Sequence, residues 1–310
     1  MSKTAILFPG QGAQTIGMGR DFVEFSEAAR KTFAHADEIL ETDLTRVCFE
    51  GPADRLNATN YSQPAIFVTS VAIWRALEEK GIVDEFRPQI MAGLSLGEYT
   101  ALHLAGWMNF EDGLRLVAER GRLMQEAAES TSGGMVSIMG LSEAEVLELC
   151  REVSDGEVLA PANFNCPNQI VISGAKTACE RAVALAERYK ARAIPLVVAG
   201  AFHSPLMKPA EKGLRIALER AKIESGEISV VSNVSADYHA GSDDVRRLLT
   251  DQVTNPVRWQ ASIERLRSDG VDRFVEIGPG RVLTGLMRKI DRSATAINMS
   301  KVETLTQVSA

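Results

Sequence analysis

The sequence predicts an α/β protein built on a mainly parallel sheet, with a smaller β-α-β-β-α-β unit set into it. Three observations carry that expectation. Short apolar runs end in glycine-bearing turns, apolar residues at helical spacing fill the stretches between them, and the rhythm changes between about residues 133 and 198. Residues 4–8 are apolar and run into Pro9-Gly10, the pattern of a buried strand meeting a tight loop. Residues 27–40 and 65–80 repeat apolar positions at helical spacing, residues 88–92 form a second strand leading into Gly93, and 98–105 read as helix. Next come a strand at 135–139 and a helix at 142–152, where Ser142 and Glu145 have the spacing of a capping box. Strands at 158–163 and 169–173 flank Cys166-Pro167-Asn168; a helix at 176–188 and a strand at 193–198 complete the unit. That order is the ferredoxin-like split pattern. The expected organisation is therefore a large α/β domain from residues 1–130 and 200–310, interrupted by a small ferredoxin-like domain over 131–199. A further buried strand at 271–277 ends in Gly278-Pro279-Gly280.

Composition narrows the function classes. With 310 residues, 45% hydrophobic and 24% charged, the chain has the profile of an ordinary globular protein with a substantial core. A net charge of −7 argues against a protein that coats nucleic acid, which needs clustered Lys and Arg. Apolar runs such as 196–202 fall far short of the ~20 residues of a membrane span, and Ala5-Ile6-Leu7-Phe8 is shorter than the ~7–15 residues of a secretory apolar region. The four cysteines (Cys48, Cys150, Cys166 and Cys179) lack CxxC spacing and suit small buried residues in a reducing compartment. A cytoplasmic protein without membrane or nucleic-acid partners is expected.

The segment with most chemical content is Gly93-Leu94-Ser95-Leu96-Gly97, a GxSxG sequence between an expected strand and an expected helix. A serine on a sharp strand-to-helix turn projects its hydroxyl into a cleft, and glycines at ±2 let the backbone fold that tightly. The Leu96 amide at the helix start then faces the oxyanion of a tetrahedral intermediate. The same residues also suit a plain helix cap, with Ser95 as N-cap and Glu98 three residues on completing a capping box. A nucleophilic serine needs a base. Of four histidines, His35 and His103 lie in helical stretches and His239 in a polar turn, while His203 ends the apolar run 196–202 where a strand empties into a loop. His203 is thus the candidate base, against the alternative of a hydrogen-bonded structural histidine.

Several ordered segments resemble the malonyl-CoA:acyl-carrier-protein transacylases and the acyltransferase domains of polyketide synthases. They are Phe8-Pro9-Gly10-Gln11-Gly12-Ala13-Gln14, Tyr61-Ser62-Gln63-Pro64-Ala65, residues 93–99, Arg120-Gly121, Asn163-Phe164-Asn165 with Gln169, Ala201-Phe202-His203-Ser204, Asn255-Pro256-Val257-Arg258-Trp259 and Glu276-Ile277-Gly278-Pro279-Gly280. The resemblance spans nearly the whole chain and implies a hydrolase-like large domain with a ferredoxin-like insertion. It implies a ping-pong transfer in which Ser95 attacks a malonyl thioester, His203 is the base, and the Gln11 and Leu96 amides hold the oxyanion. A backbone carbonyl replaces the triad acid, and Gln252 lies in the right region to position His203. Arg120 would grip the malonyl carboxylate bidentately, while Gln63, Asn165, Gln252 and Phe202 complete the substrate site, with Phe202 crowding the α-carbon.

The resemblance also implies malonyl-CoA and a holo acyl carrier protein as partners, a monomer, and no metal or bound cofactor, since CoA enters and leaves with the substrate. Lys190, Arg192, Lys208 and Arg281 offer a basic rim for an acidic carrier, or stand as ordinary solvated charges. Two positions depart from the family pattern: Leu94 stands where histidine is usual, and Phe202 where many stand-alone bacterial members have serine. Fatty-acid supply is the expected role, with a polyketide-pathway acyltransferase or a thioester hydrolase of the same fold as alternatives. A nucleotide-binding reading of residues 10–19 fails because Thr15 occupies the third glycine position of GxGxxG.

Overall fold

The computed structural model describes residues 3–307. Its strands among those residues are, in chain order, β1 (Lys3–Phe8), β2 (Ile90–Gly93), β3 (Gly133–Met139), β4 (Leu159–Cys166), β5 (Gln169–Ala175), β6 (Arg192–Pro195), β7 (Ser229–Val230), β8 (Val271–Ile277) and β9 (Thr295–Met299). They form two sheets.

The larger sheet has the order β7-β2-β1-β8-β9, and all its pairings are parallel. β1 lies at its centre, and Ala5, Ile6, Leu7 and Phe8 are all buried. That is why its sequence is continuously apolar instead of alternating. Successive side chains nevertheless serve opposite faces. Ile6 and Phe8 join the core built on helices Thr59–Glu79 and Phe110–Glu129, whereas Ala5 and Leu7 pack with Trp259, Ile263 and Met287. Phe8 pairs with Gly93, and Leu7 with Glu276, so the carboxyl ends of β1, β2 and β8 lie side by side. Crevices of parallel sheets form at those ends.

The smaller sheet is antiparallel with order β4-β5-β3-β6. Helices Glu143–Ser154 and Lys176–Leu185 cover one face, over Val136, Ile138, Ile170 and Ile172. Their sequence neighbours Met135 and Val171 point the other way and join the main core. The expected capping box is present: Ser142 Oγ accepts from Glu145 N at 3.4 Å while Ser142 N donates to the Glu145 carboxylate at 2.8 Å.

Three details differ from the sequence reading. The last strand of the small sheet stops at Pro195, and Val197 beyond it is fully exposed. The second strand of the unit extends to Cys166, so Asn163 and Asn165 lie within β4 rather than partly in a loop. β7 and β9 were not expected: β7 has two residues, too few to show alternation, and β9 carries Asn298, a buried polar residue that interrupts its apolar pattern. All four cysteines are free and buried. No helix among the described residues is long and apolar enough to cross a membrane.

Candidate active site

Ser95 sits where β2 gives way to the helix Gly97–Leu104, in the left-handed region at φ 53°. An L-residue pays strain for that conformation, and such strain concentrates at functional turns. The flanking glycines are required by close approach. A Cβ on Gly93 would lie 1.9 Å from the Gly97 carbonyl carbon, and one on Gly97 would lie 2.1 Å from the Phe8 oxygen. The turn is fastened from behind: Ser95 N donates to Asn233 Oδ1 at 2.5 Å, and Asn233 Nδ2 donates to the Gly93 carbonyl at 2.7 Å.

The serine hydroxyl meets His203, also left-handed at φ 57°, with 2.8 Å between Oγ and Nε2. His203 Nδ1 lies 2.7 Å from the backbone carbonyl of Gln252. A carbonyl only accepts, so this contact assigns the proton to Nδ1 and leaves Nε2 free to take the serine proton. Burial, reinforced by the charge of Arg120, pulls the His203 pKa down to about 4. His203 is therefore neutral, as a base must be, across the physiological range.

Arg120 reaches this pair from the middle of helix Phe110–Glu129 and is 1% exposed. Nη1 donates to Gln63 Oε1 at 2.6 Å, and Nη2 donates to Ser95 Oγ at 3.0 Å and Gln252 Oε1 at 2.9 Å. These partners are all neutral, and Nε has no hydrogen-bond partner among the described residues. Burial lowers the Arg120 pKa from its ordinary value, yet an arginine stays charged in proteins. The site thus holds a buried cation without a direct anionic partner beside a serine and a neutral histidine.

Glu98 does not cap the helix, contrary to the capping-box alternative. The helix has Leu96 at its N-cap position and no side-chain cap, and the Glu98 carboxylate turns inward to full burial. Oε2 accepts from Asn233 N at 2.9 Å and Gln252 Nε2 at 2.8 Å; Oε1 lies 2.9 Å from His239 Nε2. His239 is likewise buried instead of sitting in an open polar turn. Sequence reasoning missed Asn233, Glu98 and His239 as parts of the site.

Ser95, His203 and Arg120 open into a cavity of about 500 Å³ between the two sheets, a size that suits a small-molecule substrate. Gln11, Gln63, Asn165, Phe202 and Leu94 border it as well. Gln252 is fully buried behind the cavity, and the Leu96 side chain packs into the core while its backbone begins the helix. Lys190, Arg192, Lys208 and Arg281 are exposed, and Lys208 is paired with Glu211 at 2.7 Å.

A model of the acyl transferase domain matches residues 6–307. The malonyl CoA-acyl carrier protein transacylase of Bacillus subtilis strain 168 is 44% identical over 307 residues, covering 98% of this chain and 96% of the relative. The protein of the same name from Escherichia coli strain K12 is 42% identical over 297 residues, covering 96% and 95%. Among solved structures, a malonyl-transacylase in complex with a holo type II polyketide acyl-carrier protein superposes with TM-score 0.95 at 41% identity, covering 99% of both chains.

Proposed function

The chain belongs to the acyl transferase domain family and stands with its malonyl CoA-acyl carrier protein transacylases, and from that premise we propose that it moves a malonyl group from malonyl-CoA to the phosphopantetheine thiol of an acyl carrier protein, supplying fatty-acid synthesis. The observation that carries this reading is Arg120, a buried guanidinium bound only by neutral oxygens and 3.0 Å from the Ser95 hydroxyl. A site that bound a simple acetyl or fatty acyl group would gain nothing from such a cation. A malonyl group brings the missing carboxylate.

The transfer runs in two halves. His203 Nε2 takes the Ser95 proton as Oγ attacks the thioester carbonyl, and the Gln11 and Leu96 backbone amides receive the oxyanion. The intermediate collapses with loss of the C–S bond, and the proton on His203 passes to the departing CoA sulfur. In the second half His203 takes the proton of the carrier thiol, the sulfur attacks the malonyl-serine, and Ser95 leaves with that proton. Gln252 orients His203 through its backbone carbonyl, so no carboxylate is needed in a third position. The malonyl carboxylate also adjusts the base. Arg120 depresses the His203 pKa, and an anion on Arg120 offsets that charge, so His203 becomes more basic once substrate is seated.

Gln63 holds the far side of the Arg120 fork, Asn165 faces the acyl group across the cavity, and Phe202 crowds its α-carbon. The small antiparallel sheet is read as a ferredoxin-like domain over residues 131–199, inserted in a large domain of 1–130 and 200–310. Its strand order and two covering helices support that reading. The enzyme acts as a cytoplasmic monomer, and the exposed Lys190, Arg192, Lys208 and Arg281 receive the acidic carrier.

Incubation with malonyl-CoA alone, followed by intact mass measurement, tests the reading. The wild type gains one malonyl group, Ser95→Ala gains none, and holo carrier protein discharges the adduct. Steady release of free malonate without carrier would instead identify a hydrolase.

A further inference from the structure

The carboxylate of Glu98 takes no part in either half-reaction, yet it accepts hydrogen bonds from two residues that hold the site, Asn233 and Gln252. It is fully buried, as are its partners Asn233 and Gln252. One oxygen, Oε2, receives both the Asn233 backbone N–H at 2.9 Å and the Gln252 side-chain amide at 2.8 Å.

The bond to Gln252 decides which way its amide faces. A carboxylate only accepts, so the NH₂ group must point toward it. The same nitrogen reaches the Ser95 carbonyl at 3.1 Å, and Oε1 is thereby turned to accept from Arg120 Nη2 at 2.9 Å. An inverted amide would set oxygen against carboxylate and NH₂ against guanidinium, losing both bonds at once. The bond to Asn233 fixes the other arm. With its backbone held by Glu98, the Asn233 side chain bridges Gly93 O and Ser95 N, the two sides of the strained turn. His239 occupies the second carboxylate oxygen at 2.9 Å and keeps the carboxylate from rotating away.

Building on the acyl-transfer reading above, we infer that Glu98 is a positioning residue, which aligns the nucleophile through Asn233 and the acyl-binding arginine through Gln252. Its contribution belongs to rate, because it holds groups in register for attack while leaving the cavity wall unchanged.

The test is steady-state malonyl transfer from malonyl-CoA to holo carrier protein, resolved into kcat and KM for wild type, Glu98→Gln, Gln252→Leu and the double variant, with thermal unfolding of each. Glu98→Gln keeps the shape but replaces a charged double acceptor with a weaker one. It is expected to lower kcat about tenfold and leave KM within about threefold. Because Glu98 acts on Arg120 through Gln252, the losses in the double variant should fall well short of the product of the single losses. If Glu98→Gln does not fold, Glu98→Asp takes its place in the same cycle with the same expected pattern. Wild-type kcat in the folded Glu98 variant, or losses that multiply, would overturn the inference while leaving the transfer reading intact. A wild type that forms no adduct would overturn the transfer reading and this inference with it.

Discussion

The cavity has two unlike walls. On the elbow side, Ser95, His203, Arg120, Gln252 and Glu98 are each no more than 8% exposed and are linked by hydrogen bonds of 2.7–3.1 Å. On the other side, Met135 and Val171 of the small sheet and Leu196, Val197 and Phe202 of the returning chain line the cavity with mostly apolar side chains, interrupted by Asn163, Asn165 and Gln169, and Val197 is wholly exposed. The first wall is built on the carboxyl ends of parallel strands and is over-determined; the second is a shape. On the acyl-transfer reading proposed above, changes on the elbow wall disturb attack and the grip on the acyl carboxylate, whereas changes on the apolar wall alter which acyl shape fits.

The sharpest way to break that comparison is His203→Ala, which removes the base but leaves the fit. It should lower kcat by about 10²–10⁴ with little change in KM, read from steady-state transfer to carrier protein. A rise in KM with kcat preserved would mean that the elbow wall contributes fit instead.

Phe202→Ala tests the opposite wall. It should raise kcat/KM for methylmalonyl-CoA relative to malonyl-CoA by about 10–100-fold, the range of ~1–3 kcal/mol for one methyl in an apolar pocket. Competition between the two thioesters reads this directly, and an unchanged ratio would remove Phe202 from the selectivity account.

The smallest effect is a displacement in pH. With His203 titrating at about 4, the acid limb of kcat/KM should lie near that value, activity falling as the base is protonated. In Arg120→Gln the neighbouring cation is gone, so His203 becomes more basic and the limb moves upward. It should still lie below the ordinary 6.5, because burial continues to depress the pKa. The same shift bears on stability. The unfolded chain binds the His203 proton between pH 6.5 and 4 and the folded one does not, so this residue costs stability as pH falls through that window. A limb at the same pH in both proteins would separate Arg120 electrically from His203.

Much of this molecule was legible in its sequence, and the exceptions share a physical cause. β1 and β2 announce themselves because strands buried on both faces read as near-continuous apolar runs ending in tight turns, and β8 by the apolar Phe274, Val275 and Ile277 before Gly278. The elements of the small sheet were readable because its strands, covered by helices on one face and by the main core on the other, stand as short apolar runs between stretches of helical spacing. Ser95 and His203 could be singled out locally, one by glycine spacing and the other by its place after an apolar run. Arg120 is different: on its own helix it is one arginine among several, and only the family resemblance distinguished it. Glu98 was invisible in a stronger sense. Its spacing from Ser95 fits an ordinary cap, and the residues that draw it inward, Asn233, His239 and Gln252, lie 135, 141 and 154 positions along the chain. Local pattern cannot report a network closed over such distances.

If Arg120 selects a carboxylate-bearing acyl group, as proposed, acylation of wild type and Arg120→Ala by malonyl-CoA and acetyl-CoA will separate the two thioesters. Loss of a buried charge partner costs about 3–5 kcal/mol, so malonyl acylation should fall by about 10²–10⁴ while acetyl acylation holds or rises. Equal losses with both thioesters would contradict the claim and reduce Arg120 to a brace for Ser95.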